Sequence, residues 1–144
     1  MNIVITISGL FSPAKVVGLS VFITIDNSYD VLALELFQSK NEIETRILTP
    51  KQVRIESLPE YLPSNQPVHL VLDGKGIVHR KVFPLQNQDP LQLLFPNARN
   101  EDYITQTLHL NSGEVIFSLI RVEQAQSIIM QLDQLGFKVL SLSL

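Results

Sequence analysis

The sequence predicts a mixed α/β (α+β) fold in which an antiparallel strand meander is followed by a small β-β-α-β unit. Hydrophobic residues make up 45% of the 144 residues, which is enough apolar material for a core. β-Branched and aromatic runs separated by short polar turns fill the first third of the chain. One long helical stripe follows near the end, between strand-like runs.

The meander is predicted from three strand-like runs, at residues 16–25, 29–37 and 43–48. Polar turn residues at 26–28 and 39–41 separate them, and such short connections favour antiparallel pairing. The second run is almost entirely apolar, so we expect an interior strand.

A short helix is then expected, with Thr49 as its N-cap, Pro50 in the first helical position and Gln52 completing a capping box. After it, strand-like runs at 68–72 and 77–83 flank an Asp-Gly-Lys-Gly turn. This pattern predicts a β-hairpin.

The last part of the chain predicts the β-β-α-β unit. A short helix at 90–95 precedes strands at 103–110 and 114–119, and a final strand covers 137–144. Between them lies a helix that Gly136 caps. Its apolar stripe consists of Val122, Ala125, Ile129 and Leu132, widened by Ile128 and Leu135. We therefore place a first domain at residues 1–88 and a second at 89–144.

Charge and cysteine content argue against several function classes. Eleven basic and 14 acidic residues give a net charge of −3, and no basic cluster larger than Arg80-Lys81 exists, so nucleic-acid binding is not expected. The absence of cysteine removes disulfides and thiolate chemistry and fits a cytoplasmic location. Pro13 and Lys15 interrupt the apolar beginning of the chain, which predicts two strand-like pieces rather than a signal peptide or membrane span.

No complete catalytic, metal or cofactor site can be assembled from the sequence. His69 and His79 are interpreted as strand histidines, because no carboxylates accompany them at ligand spacing. The serines lack a nucleophile-elbow motif. Gly74-Lys75-Gly76 is too short for a phosphate loop, and turn dihedral angles explain its glycines.

Candidate interface positions are Arg121 and the apolar end of the chain, at Leu140, Leu142 and Leu144. Arg121 is either a solvated residue before the helix or a functional arginine. An apolar end leads us to expect a longer natural chain and a strand edge able to pair with another molecule.

The order of elements resembles actin-like, ribonuclease-H-like proteins. The runs VVGLSVFITI, YDVLALELF and EIETRIL, followed by a helix and VHLVLDG, resemble the opening half of such a domain. The runs YITQTLHL and EVIFSLI, with the following helix and strand, resemble its small inserted subdomain. In that family an arginine-started helix ends in Gly-Phe or Gly-Leu, and Arg121, Gly136 and Phe137 occupy those places. The resemblance is to the PilM and GspL type, the platform proteins of type IV pili and type II secretion.

One departure from the family pattern bears on function. ATP-binding members carry an aspartate in the first strand, where this sequence has Ser20, and no glycine follows in residues 22–26. The resemblance therefore implies a degenerate nucleotide site at Ser20, no catalytic residue and no cofactor.

The expected function is that of a non-catalytic cytoplasmic scaffold or platform that binds other subunits of a secretion or pilus machine, with homo-oligomerisation left open and no membrane insertion. The alternatives are a ribonuclease-H-like enzyme, which would need clustered carboxylates around a metal, and a free-standing ligand-binding domain.

Overall fold

The computed structural model describes residues 15–83 and 88–144. The strands are β1 (Lys15–Ile23), β2 (Tyr29–Ser39), β3 (Glu42–Ile47), β4 (Val53–Arg54), β5 (Pro67–Gly74), β6 (Val78–Val82), β7 (Tyr103–His109), β8 (Val115–Arg121) and β9 (Lys138–Ser143), and the α-helices are α1 (Pro90–Leu94) and α2 (Val122–Gln134). Short 3₁₀ helices cover Ile55–Glu60 and Asn100–Asp102. Of the two strand-like pieces expected in the first 25 residues, the one before Pro13 lies outside the described residues, and the other is β1.

The chain forms two compact units. Among the described residues, the first contains residues 15–75 together with Ile129–Ser143, and the second contains residues 76–83, residues 88–128 and Leu144. This division differs from the expected boundary at residue 88. Two pairings explain the difference: β6, which was expected in the first domain, pairs with β8, and the last strand pairs with β5 of the first unit.

The first unit is built on a six-stranded sheet with the order β3-β2-β1-β5-β9, in which β4 also pairs with β2. The predicted meander is confirmed, because β1 pairs antiparallel with β2, and β2 with β3, without a register shift. β5 then runs parallel to β1, and β9 runs parallel to β5.

One face of this sheet forms the core of the unit. The alternation of β1 buries Val17, Leu19, Val21 and Ile23. Their partners on the same face are buried too: Val31 and Ala33 on β2, and Val68, Leu70 and Leu72 on β5. The 3₁₀ helix Ile55–Glu60 contacts β2 and buries Ile55 and Leu58.

The helix expected to start at Thr49 does not form. Residues 53–54 pair with β2 as β4, and a 3₁₀ helix begins only at Ile55. Thr49 is buried, and its hydroxyl accepts a hydrogen bond from the backbone N–H of Ala33 at 3.2 Å. Thr49 therefore accepts a backbone hydrogen bond from β2. The oxygen that accepts it is the same one that would have capped a helix.

The hairpin predicted across residues 68–83 is wrong. β5 pairs with β1 and β9, whereas β6 pairs antiparallel with β8 in a separate sheet. The turn residues have a different function. Gly74 adopts φ +103°, and a Cβ there would lie 2.3 Å from the Ile23 carbonyl oxygen. A close approach between backbones, rather than a tight hairpin turn, requires this glycine.

The second unit contains the three-stranded antiparallel sheet β6-β8-β7. The short helix predicted at 90–95 is confirmed as α1, whose N-cap Asp89 accepts a hydrogen bond from the Leu91 N–H at 2.9 Å. Leu91 joins Phe117 and Leu119 in a buried cluster, with Leu94 and Phe95 packed against it.

The long predicted helix is present as α2, and Gly136 follows it at φ +90°. Its most buried line differs from the expected one. Ala125, Ile128 and Leu132 are fully buried, whereas Val122 and Ile129 are half-buried. The predicted apolar stripe is present, but the buried line of the helix runs through Ile128 and not through Ile129. No helix in the described ranges is long and apolar enough to cross a membrane.

Candidate protein-interaction surface

The face of the first sheet opposite the core, which we call the open face, carries mainly apolar side chains, with Asp30, His69 and Asp73 among them. β1 and β2 place alternate side chains on it, and β5 contributes Val71. None of these side chains is fully buried, and Phe22 is 44% exposed. The apolar members are Val16, Phe22, Leu32, Leu34, Leu36 and Val71.

An antiparallel meander with one buried face normally alternates apolar with polar residues. β2 departs from this rule because its outward positions are leucines. The almost entirely apolar second run of the sequence is the corresponding signal, although it predicts an interior strand equally well. Neighbouring apolar side chains that stay partly exposed in this way are typical of protein-interaction sites.

Ser20 lies at the centre of the open face. It is exposed on β1, with Leu32 as its partner on β2 and Val71 as its partner on β5. Gly18, two residues earlier on the same strand, also presents little bulk, since a Cβ there would meet only the His69 carbonyl oxygen, at 4.0 Å. The two small residues of β1 therefore lie beside larger apolar side chains of β2.

The turn after β1 is the second element of the site that the family resemblance implies. Thr24 and Ser28 both donate hydroxyl hydrogen bonds to the Asp26 carboxylate, the latter at 2.7 Å. These two donors, Thr24 first, lower the pKa of Asp26 from 3.8 to about 2. Asp26 is therefore a stable anion at neutral pH.

Cations near this turn already contact protein oxygens. Arg54 pairs with Asp30 at 3.4 Å and donates to the Ser28 hydroxyl. The Lys75 ammonium donates to the Ile25 carbonyl oxygen at 2.9 Å. These contacts link β4, β5 and the turn, so they stabilise the end of the sheet.

The histidines occupy strands, as expected. The His69 Nδ1 atom lies 2.6 Å from the Ser141 hydroxyl across β5 and β9, and the His79 Nδ1 atom lies 2.7 Å from the Ser118 hydroxyl across β6 and β8. Within residues 15–83 and 88–144, no group of three or more histidine, aspartate or glutamate side chains is arranged to hold a metal ion.

The candidate interface residues fall into two sets. In the second unit, Arg121 ends β8 and places its guanidinium 5.7 Å from the Tyr103 ring centroid, while the Leu144 N–H donates to the Gln106 side chain at 2.7 Å. In the first unit, Leu142 pairs with buried Leu70. Leu140 is 52% exposed at the irregularity of β9.

Several solved structures resemble this chain, among them the following three. The cytoplasmic domain of EpsL, an inner membrane component of the type II secretion system of Vibrio cholerae, has a TM-score of 0.55 at 15% identity over 88% of this chain and 57% of that chain. A PilM-PilN type IV pilus biogenesis complex has a TM-score of 0.50 at 12% identity over 92% of this chain and 48% of that one. A Bacteroides thetaiotaomicron protein of unknown function with an actin-like ATPase fold has a TM-score of 0.44 at 15% identity, over 87% of this chain and 51% of that one.

No protein-family model and no curated protein matches the sequence. The chain spans about half of the length of the solved structures it resembles. At these identities the likeness concerns the fold. The predicted mixed α/β fold is confirmed, and it is similar to the fold of the EpsL cytoplasmic domain and of the PilM-PilN complex.

Proposed function

We propose that this chain is a non-catalytic platform domain that binds other protein subunits of a type II secretion or type IV pilus machine on the cytoplasmic side of the membrane. The observation that carries the proposal is the position of Ser20, exposed between Leu32 and Val71 on a mainly apolar sheet face. Such a surface suits a protein partner better than a charged nucleotide.

The residues present do not fit the nucleotide and magnesium that the fold class implies. Magnesium prefers carboxylate and phosphate oxygens, and Ser20 offers a neutral hydroxyl among apolar neighbours. A phosphate also needs backbone N–H groups in a glycine-rich turn or at a helix N-terminus. The turn after β1 has no glycine and holds the Asp26 anion, which would repel phosphate.

The enzyme alternative has less support. Hydrolysis on a ribonuclease-H-like sheet requires several carboxylates that converge on a metal. The part of the chain that the structure describes holds no such cluster. The acidic side chains Glu35 and Asp30 pair instead with arginines, Glu35 with Arg46 and Asp30 with Arg54.

The similar structures support the machine to which we assign the chain. One is a component of a type II secretion system, and the other is a complex of two pilus biogenesis proteins. A domain with the same fold and a mainly apolar sheet face is suited to the same kind of assembly. Its partners would then be secretion or pilus subunits.

The proposal is tested by purifying the tagged natural protein from its host and quantifying the proteins that accompany it. We expect secretion or pilus subunits to be enriched, and Phe22→Asp on the open face to lower their recovery at least about tenfold, as loss of a central apolar contact does. The matched control is Ile25→Asp, because Ile25 is 90% exposed in the turn outside the sheet. Circular dichroism checks that both variants fold.

Equal recovery with both variants would contradict binding through the open face, and enrichment of no secretion or pilus subunit would contradict the platform function. A second measurement addresses catalysis. Calorimetry with magnesium and ATP should show no binding tighter than about 100 μM. Tighter binding would support the alternative of a nucleotide-dependent enzyme.

A further inference from the structure

The β3 strand is the outermost strand at one side of the first sheet as the structure describes it. All six of its residues are exposed, and two are large and apolar: Ile43 at 64% and Ile47 at 63%. β3 also continues its pairing with β2 without a bulge. Exposed edge strands usually carry bulges, prolines or charges that prevent pairing with another chain. In β3 all the charged residues, Glu42, Glu44 and Arg46, lie on one side of the strand, so the side with the two isoleucines has no charge to prevent pairing.

The sequence of β3 is self-complementary. In antiparallel pairing centred on Thr45, each Thr45 faces its own copy. Ile43 of one strand then faces Ile47 of the other on one side of the sheet, and Glu44 faces Arg46 on the opposite side. Both contacts occur twice by symmetry, and opposite charges and apolar pairs in direct register stabilise a sheet.

Neighbouring registers lack this match. Centring on Glu44 or on Arg46 places two like charges directly opposite each other, which is destabilising. Displacing the strands by one residue in either direction from the Thr45 register puts an isoleucine opposite a glutamate. The Thr45 register is therefore the one that satisfies both sides of the strand.

The environment within one copy is compatible with this pairing. Ile47 is the partner of Leu34, and Thr45 the partner of Leu36, so the new isoleucine contacts would extend the open face. On the other side Arg46 pairs with the largely buried Glu35. A guanidinium has five N–H donors, so it can hold Glu35 and a second carboxylate together.

We infer that β3 pairs antiparallel with β3 of a second copy of this chain about a two-fold axis at Thr45, which joins two first sheets into one. The interface is isologous, as expected for a dimer of identical chains. This inference does not depend on the proposed platform function, and the measurements that follow use the purified protein alone.

Sedimentation and site-directed crosslinking test the pairing. We expect the protein to reach twice its 16.2 kDa mass with a dissociation constant below about 100 μM. Because the sequence has no cysteine, Thr45→Cys introduces a single thiol. Directly opposite residues in an antiparallel pair are close enough for a disulfide, so this variant should form a covalent dimer on mild oxidation. Thr107→Cys, exposed on the edge strand β7, is the control and should crosslink far more slowly.

Charge reversal gives an independent test. Glu44→Lys would face Arg46 twice and should weaken the dimer at least about tenfold. Glu42→Lys makes the same change in net charge outside the paired residues and should leave the dimer unchanged. A monomer at about 100 μM, equal crosslinking at positions 45 and 107, or equal effects of the two lysine variants would each overturn the inference.

Discussion

Replacement of Thr49 tests whether this residue, which the sequence predicts to cap a helix, stabilises strand β2 instead. The Thr49 hydroxyl accepts the backbone N–H of Ala33 at 3.2 Å, and both residues are almost completely buried. Thr49→Val keeps the shape of the side chain but leaves this N–H without an acceptor. A buried unsatisfied donor costs about 1–3 kcal/mol, so we expect a loss of that size in the free energy of unfolding.

Two further variants separate the sheet role from a capping role. Thr49→Ser keeps the acceptor and loses one methyl group, which costs about 0.8 kcal/mol when buried. Thr49→Asp would place a charge in the core and should be the most destabilising of the three. At a helix N-cap, by contrast, threonine, serine and aspartate are nearly equivalent.

The assay is equilibrium unfolding in urea, with amide hydrogen exchange of Ala33 as a local measurement. Thr49→Val should accelerate exchange of that amide, while Thr105→Val, exposed on β7, should change stability by no more than about 0.5 kcal/mol. A Thr49→Asp variant as stable as the wild type would refute the sheet role. So would a Thr49→Val variant with an unchanged Ala33 exchange rate.

Three other predictions concern glycine geometry, helix burial and pH. In urea unfolding, Gly74→Ala should lower the free energy of unfolding by about 3 kcal/mol or more, because its Cβ would enter the backbone of β1. Gly113→Ala, with φ +86° and open space around it, should lower it by about 1 kcal/mol. Equal losses would contradict the close approach at Gly74. Ile128→Ala should cost about 2–5 kcal/mol and half-buried Ile129→Ala clearly less, and the reverse order would contradict the assigned helix face. Folding lowers the pKa of Asp26 from 3.8 to about 2, so the stabilisation that Asp26 contributes is present above pH 3.8 and is lost as the pH falls towards 2. The free energy of unfolding of the wild type should therefore exceed that of Asp26→Asn by less and less in this interval. A difference that stays constant with pH would argue against this role of Asp26.

The candidate site was predicted from the sequence only in part. The resemblance implies an aspartate where this sequence has Ser20, and the structure places Ser20 on the open face. The apolar surface around it was not recognised, since a nearly continuous apolar run such as β2 fits a strand covered on both sides as well as one with an open face. The self-complementarity of β3 could be read from its letters, but it acquires meaning only when β3 lies at an edge.

The sequence by itself determined the local elements: the meander, α1 and the apolar stripe of α2. These follow from alternation, turn chemistry and helical spacing, which act over a few residues. Only the tertiary structure decided the partners of β5, β6 and β9, because strand pairing joins residues far apart in the chain and a short turn is compatible with more than one partner. The same reason explains Thr49, whose hydroxyl oxygen can accept from a helix or from a sheet, and the fold brings it to β2.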